Sequence, residues 1–423
     1  MRVLFTIFPA PAHVHPIVPL AWALLGAGHE VRVAIHPDAT GLVTSTGLTA
    51  VPLIDEQLGE VVEFGNNLDK LAELDDFLSL TGDDNPQWEM QWLKLTRVLV
   101  AFRPALPALV RVVRDWQPDL VVWDPFCVPA AVAARVVGAA QVRFLWGRDN
   151  IGFLREKSRR TLAERGTPVR RDPVTWLMSP MLEPYGLEYD EELLLGQASI
   201  DPMPPGMRLP TSLTHLPIRR VPFNGSASVP DWVQQRPTRP RVCLTLGIGG
   251  RGRQLFKESG VSFPDLVHAL ATLDIELIAT IGQSHAAALG TLPENVRVVD
   301  YLPLTALLPT CSAIIHHGGG GTFAAAVAHQ VPQLTTPMPF WGEEITARYI
   351  ADHGAGLLIP PATLTPESAR DAVARLLTDP AFAEGARTLH KEMLAAPAPG
   401  EVVAQLEELV ARHPAPSPGI APV

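Results

Sequence analysis

The segment Ile314-Ile315-His316-His317-Gly318-Gly319-Gly320-Gly321-Thr322 joins an apolar run to a helix-like run through four consecutive glycines. Bare glycines at a strand-to-helix turn let an oxyanion approach the backbone closely. The helix N-terminus offers it unpaired N–H groups and a partial positive charge. That is the chemistry of a phosphate site, and His316 at the strand's end adds a side-chain donor. The plainer reading is a tight turn without a ligand, with His317 structural. Four glycines lose much chain entropy on folding, which a mere turn seldom requires. The segment is not a P-loop, since Gly-Lys-Ser and Gly-Lys-Thr are absent from the chain. A dinucleotide fingerprint fits only loosely, on Gly319, Gly321 and Ala324, and Glu343 is badly placed to hold a ribose.

Four further constellations follow strand-like runs. The loop Pro9-Ala10-Pro11-Ala12-His13-Val14-His15-Pro16 carries two histidines, the usual general bases near neutral pH. His-x-His is also a metal pair, but no third ligand lies nearby; a surface or capping histidine is the bland alternative. Trp123-Asp124-Pro125-Phe126 puts a carboxylate where it can fix a histidine tautomer and stabilise the imidazolium. Alone, Asp124 reads as a strand-end turn residue; beside His13 on one sheet edge it reads as half of a dyad. Asp300-Tyr301-Leu302-Pro303 offers a ring for stacking on a nucleobase, or for ordinary packing. Pro339-Phe340-Trp341-Gly342-Glu343-Glu344 sets carboxylates beside an aromatic, which suits a sugar, or forms a solvated acidic loop. No Asp-x-Asp occurs, so a metal-dependent nucleotide-sugar site of that type is not supported.

These residues need strands to carry them. Residues 2–8 read as a strand, Val18 to Leu25 as a helix and Glu30 to Ile35 as a second strand, a βαβ unit with a parallel sheet. Leu120 to Trp123 and Gln141 to Trp146 flank a helix-like run, Val128 to Val137. Residues 55–115 and 150–215 are less regular; Trp88, Trp92, Trp176, Met178, Met181 and Met203 there suit amphipathic helices or an adaptable apolar pocket wall. A Pro-, Gly- and Arg-rich stretch, 217–240, reads as a linker between an N-terminal domain, 1–216, and a C-terminal domain, 241–400. Fresh strands are expected at Val242 to Leu246, Glu276 to Thr280, Val296 to Val299, Ala313 to Ile315 and Gln333 to Thr336. Residues 401–423 read as a helix end and a disordered tail, Pro-rich from Pro414.

The chain has 423 residues, of which 47% are hydrophobic, enough for two cores. A net charge of −10 argues against nucleic acid and acidic membranes as partners. Cys127, Cys243 and Cys311 are far apart and form neither a disulfide nor a zinc framework. The N-terminus enters a strand at once, which argues against a secretory signal, and no apolar stretch reaches membrane-spanning length. A reduced cytoplasmic setting is expected.

Taken together, the sequence resembles the two-domain GT-B glycosyltransferases of family 1, and within them the actinobacterial deoxysugar transferases of antibiotic biosynthesis. Met1-Arg2-Val3-Leu4-Phe5, Val18 to Leu24, Ala27-Gly28-His29-Glu30-Val31, Gly47 to Pro52 and Trp123-Asp124-Pro125-Phe126 carry the first half. Arg241 to Gly247, Leu307 to Cys311, the His-His-Gly-Gly segment, Val331-Pro332-Gln333 and Gly354-Ala355-Gly356 carry the second. The resemblance implies two doubly wound Rossmann-like domains facing across a cleft, the first binding the acceptor and the second the nucleotide sugar. It makes His13 the base for the acceptor hydroxyl and Asp124 its partner. His316 with Gly319, Gly320, Gly321 and Thr322 resembles a pyrophosphate grip and Tyr301 the base-stacking position; Leu302, Trp341 and Glu343 are further donor-binding residues. It implies inverting transfer of a deoxysugar or aminosugar from a TDP-sugar to a hydroxyl of a hydrophobic polyketide-type aglycone. TDP-sugar is then a co-substrate, with no metal and no redox cofactor. Tyr185 to Pro202 is similar to a subgroup that works with a cytochrome-like auxiliary protein, and a homodimer is compatible with the family.

Three positions depart from the relatives. Gln330 replaces the usual glycine before Val-Pro-Gln. Gly342 stands where an aspartate commonly contacts sugar hydroxyls, leaving Glu343 or Glu344 to take its place. His15 stands where Asn or an aromatic is usual and competes with His13 as base. The altered loop keeps open another class of function, a non-catalytic nucleotide-sugar-binding partner of another transferase; an epimerase or hydrolase of the same fold is a weaker choice.

Overall fold

The computed structural model describes residues 1–54, 88–166, 172–247, 259–280, 291–337 and 342–413. Trp341 and the tail from Pro414 lie outside the described residues. The chain divides into two compact units, Met1–Met203 with Arg208–Arg219 and Pro397–Val423, and Pro204–Met207 with Arg220–Ala396.

The first unit is built on a parallel sheet of β1 (Arg2–Thr6), β2 (Glu30–Ile35), β3 (Ala50–Pro52), β4 (Leu120–Trp123), β5 (Ala140–Phe144), β6 (Ser199–Asp201) and β7 (His215–Pro217). Among the described residues its order is β3-β2-β1-β4-β5-β6-β7. The order reverses direction between β1 and β4, whose register pairs Thr6 with Trp123. Chain crossovers leave there toward opposite faces, which opens a crevice at the strands' carboxyl ends. Leu120 to Trp123 is buried throughout, as a parallel strand covered on both faces must be.

Pro9 to Pro16 is not a loop, as the sequence suggests. The first helix runs over Pro11–Gly26 and contains Pro16 and Pro19. Pro11 begins it, where a missing N–H costs nothing. Burial of Val14, Ile17, Val18, Leu20, Ala21 and Leu24 holds it together despite the two internal prolines. Of the aromatics and methionines in the irregular stretches, Trp92, Met178, Met181 and Met203 are core, whereas Trp176 is exposed. The stretch from Tyr185 to Pro202 is tied down by charge. Arg155 is buried between Asp172 and Glu191, each at 2.6 Å, and the Tyr189 hydroxyl donates to Glu191 at 3.2 Å.

The second unit repeats the plan with β8 (Arg241–Thr245), β9 (Glu276–Thr280), β10 (Val296–Val299), β11 (Ala313–His316), β12 (Gln333–Thr335) and β13 (Gly356–Leu358). Among the described residues they form a parallel sheet in the order β10-β9-β8-β11-β12-β13, with its reversal between β8 and β11. Strand alternation sends Ala313 and Ile315 into one core and Ile314 into the other.

The stretch 217–240 is not a free connector. Pro217 closes β7, and Asp231–Gln234 is a short helix whose Val233 is buried in the second unit's core. Its Pro and Gly mark turns, but Val229, Trp232 and Val233 have apolar partners. After a first, short crossing at Pro204–Met207, the chain passes to the second unit between Arg219 and Arg220 and returns to the first at Pro397. The helix Pro399–Arg412 then buries Val402, Val403, Leu406 and Leu409 and places Glu407 3.1 Å from His29. Among the described residues, no helix is long and apolar enough to cross a membrane.

Candidate active site

His13 and Asp124 come together at the reversal point of the first sheet. His13 sits in the first turn of the first helix, just after β1, and Asp124 just after β4. Nδ1 of His13 lies 2.6 Å from Oδ2 of Asp124, with both side chains nearly buried. The carboxylate is itself held: Oδ1 accepts the N–H of Phe126 at 2.9 Å, and the Asp124 N–H donates to the Thr6 carbonyl at 2.9 Å. A carboxylate takes the Nδ1 proton of a neutral imidazole in a hydrogen bond, which puts the lone pair on Nε2. The pair can therefore accept a proton at Nε2 and balance the resulting charge. Phe8 and Trp146 lie 4.9 Å from the His13 ring and Phe126 6.1 Å, an aromatic collar that sequence reading missed. Its members follow β1, β4 and β5, which are sheet neighbours, and that adjacency is the signal that would have found them. His15 follows two residues after His13 on the same helix, about 200° around its axis, and so projects elsewhere. Burial lowers its pKa.

In the second unit, β11 runs into the four glycines and then the helix Gly320–Ala328, with Gly319 as N-cap. The first helical bond is from Phe323 N–H to the Gly319 carbonyl at 3.0 Å. Gly319 to Thr322 thus contribute the N–H groups that a helix cannot satisfy itself. The glycines have separate reasons. Gly318 has a φ of 93°, left-handed backbone. A Cβ on Gly319 would fall 2.6 Å from Nε2 of His317, and one on Gly320 2.8 Å from Nη1 of Arg220. At Gly321 it would meet nothing within 4 Å.

His316 does not face outward as a donor. It is buried, its Nε2 lies 3.0 Å from Oε1 of Gln333, and its Nδ1 accepts the Gly318 N–H at 3.0 Å. Burial brings its pKa down to about 4, so the ring is neutral. The Arg220 guanidinium lies beside the turn at Gly320 and keeps part of its surface exposed. Desolvation draws its pKa down to about 10, still charged at neutral pH. It lies in the Pro- and Arg-rich stretch read as linker, so sequence spacing gave no sign of it.

Of the remaining expected residues, Tyr301 follows β10 and is 40% exposed, open enough for a flat ligand. Leu302 is buried with Ile278 and Ile314, so its side chain belongs to the core. Glu343 is also buried, with Oε1 3.6 Å from Nε2 of His317, and its main-chain carbonyl lies against Gly318. Glu344 is half-buried and paired with Arg348 one turn on. Gly342 caps that helix at φ 91°, a left-handed position that favours glycine.

Residues 22–247 match the N-terminal domain of the erythromycin biosynthesis protein CIII-like family, and residues 265–409 match its C-terminal domain. The chain belongs to this family. It is 43% identical to the 10-deoxymethynolide desosaminyltransferase of Streptomyces venezuelae, over 98% of each chain. It is 42% identical to the aclacinomycin-T 2-deoxy-L-fucose transferase of Streptomyces galilaeus, over 98% of this chain and 97% of that one. The crystal structure of the glycosyltransferase VinC in complex with DTDP superposes with a TM-score of 0.84 at 38% identity, covering 97% of this chain and all of that one. This member of the CIII-like family is therefore a glycosyltransferase with the two Rossmann-like domains of the GT-B fold. Gln330 adopts left-handed backbone, at φ 58°, a conformation that favours glycine.

Proposed function

We propose that the protein transfers a deoxysugar, aminosugars included, from a TDP-sugar to a hydroxyl of a hydrophobic polyketide-type aglycone, inverting the anomeric carbon. The observation that carries this reading is the 2.6 Å contact of His13 with Asp124 at the sheet's reversal point. The acceptor oxygen forms its bond to the anomeric carbon as its proton passes to Nε2 of His13. The bond from that carbon to the diphosphate breaks, and its electron pair leaves on TDP. Asp124 balances the imidazolium. The growing charge on the diphosphate meets the N–H groups of Gly319 to Thr322 and the Arg220 guanidinium, while Tyr301 stacks on the thymine. Phe8, Phe126 and Trp146 give the base apolar surroundings suited to a polyketide. The donor and acceptor classes are those named for the relatives.

TDP-sugar serves as co-substrate, and no metal or redox cofactor takes part, which full turnover in EDTA would support. A cytoplasmic setting, a cytochrome-like auxiliary protein and a homodimer belong to the same reading, resting on family resemblance. Turnover with and without the helper, and sedimentation of the purified chain, test the last two.

The deciding experiment offers a panel of TDP-deoxysugars and polyketide aglycones and detects products by mass spectrometry. His13→Ala should lower kcat by about 10²- to 10⁴-fold while TDP still binds. Near-full turnover by a folded His13→Ala protein overturns the mechanism. Donor binding with no transfer to any aglycone would favour a non-catalytic binding partner.

A further inference from the structure

Behind the glycine turn runs a hydrogen-bond chain in which each link dictates the next. The N–H of Gly318 points at Nδ1 of His316, 3.0 Å away. A backbone N–H only donates, so Nδ1 carries a lone pair and, in a neutral ring, Nε2 carries the proton. That proton needs an acceptor, and the atom 3.0 Å away is Oε1 of Gln333, seventeen residues on and fully buried on β12. The amide of Gln333 therefore sets the tautomer of His316, and the tautomer sets the direction of the Gly318 amide.

We propose that Gln333 is a positioning residue for the donor. Acting through His316, it turns the Gly318 amide inward and leaves the N–H groups of Gly319 to Thr322 directed at the diphosphate. This rests on the reading of that turn as the diphosphate site. A neutral acceptor matters here. An apolar side chain would strand the Nε2 proton, and a carboxylate would invite a second proton onto the pair.

Other titratable groups near the chain are His317, Glu343 and Arg220 around the turn. Cys243 on the neighbouring β8 is buried, which raises its pKa and keeps it a thiol. His390 bonds the Val327 carbonyl toward the far end of the helix Gly320–Ala328.

The test compares Gln333→Glu and Gln333→Leu with the parent, by calorimetry of TDP binding from pH 6 to 9 and by donor and acceptor KM. In Gln333→Glu at high pH the carboxylate accepts from Nε2 and the chain is intact, so affinity should match the parent. As pH falls, one proton joins the pair. A protonated carboxyl whose carbonyl oxygen still accepts from Nε2 reproduces the parent amide. Where the proton instead makes an imidazolium, or sits on a carboxyl that donates to Nε2 and flips the tautomer, Nδ1 stops accepting from Gly318. TDP affinity relative to the parent should then fall tenfold or more, in a titration the parent lacks in this range. TDP's own protonation cancels in the ratio. Gln333→Leu should raise donor KM at least tenfold at every pH and leave acceptor KM unchanged; if it does not fold, Gln333→Met, closer in length and also without an amide acceptor, is read in the same way.

An unchanged donor KM in folded Gln333→Leu or Gln333→Met reduces Gln333 to core filling and overturns the proposal. Gly321→Ala separates the two levels. If it leaves TDP binding untouched, the diphosphate site itself is misread; if it weakens binding while the Gln333 variants do not, only the positioning role fails.

Discussion

Gly321→Ala is the sharpest perturbation because structure and function push it in opposite directions. Gly321 is the exposed second residue of the helix Gly320–Ala328, and an added Cβ meets none of the described atoms within 4 Å. Alanine is better than glycine in a helix by roughly 0.5–1 kcal/mol, so the variant should be as stable as the parent or melt ~1–4 °C higher. Gly319 and Gly320 give no such clean result, because their methyls would strike His317 and Arg220. If diphosphate oxygens accept from the amides at this turn, the new methyl stands in their path. A hydrogen bond to a charged group contributes about 1.5–3 kcal/mol, so losing one weakens TDP binding by about 10- to 150-fold. Calorimetry with TDP and kcat/KM for the donor read this directly, beside a thermal melt. A variant that is stabilised yet binds TDP like the parent refutes the diphosphate site.

Asp124→Asn should keep the fold but present His13 with an amide that no longer favours the reactive tautomer, lowering kcat about 10- to 10³-fold with donor affinity unchanged; equal loss of donor binding would count against the dyad. His316 titrates near the ordinary imidazole value of about 6.5 when unfolded, and burial brings it down to about 4 when folded. Between those values the unfolded chain binds the extra proton, so stability should fall by about 3 kcal/mol as pH drops from 6.5 to 4. Urea melts should show this component and lose it in His316→Asn; an unchanged slope in that variant would refute the assignment. Gln330→Gly should stabilise the protein by a few tenths to about 1 kcal/mol, since relief of left-handed strain exceeds the added chain entropy. A lower melting temperature would contradict that balance.

The strands were readable because parallel strands covered on both faces are apolar runs. Leu120 to Trp123 and Ala313 to His316 lie where those runs predict, each ending beside a residue that chemistry had already singled out. The first helix was less readable, since Pro11, Pro16 and Pro19 disguise a segment that tertiary burial holds helical. His13 and Asp124 could be paired beforehand because both follow strands, and in a parallel sheet all such residues share one edge. His316 illustrates what local sequence hides. Its orientation depends on Gln333, brought alongside only when β11 and β12 pair, so a strand-end histidine looked like a ligand donor. Leu302 and Glu343 are both buried, and position after a strand does not say which way a side chain turns. Arg220 was invisible because Pro- and Arg-rich composition reads as a connector, although one of its arginines packs against Gly320.

The return of Pro399–Arg412 to the first unit bears on how the molecule is made and remade. A nascent chain emerging from the ribosome completes residues 1–219 long before their last helix exists, an interval on the order of ten seconds or more. Until then the surface that will receive Val402, Leu406 and Leu409 is bare, a window in which a chaperone or a stray partner can settle. For anyone recombining relatives, the first unit is a discontinuous part whose last helix lies beyond the second unit in sequence. A chimera cut once near Arg219 inherits a closing helix bred against a different surface.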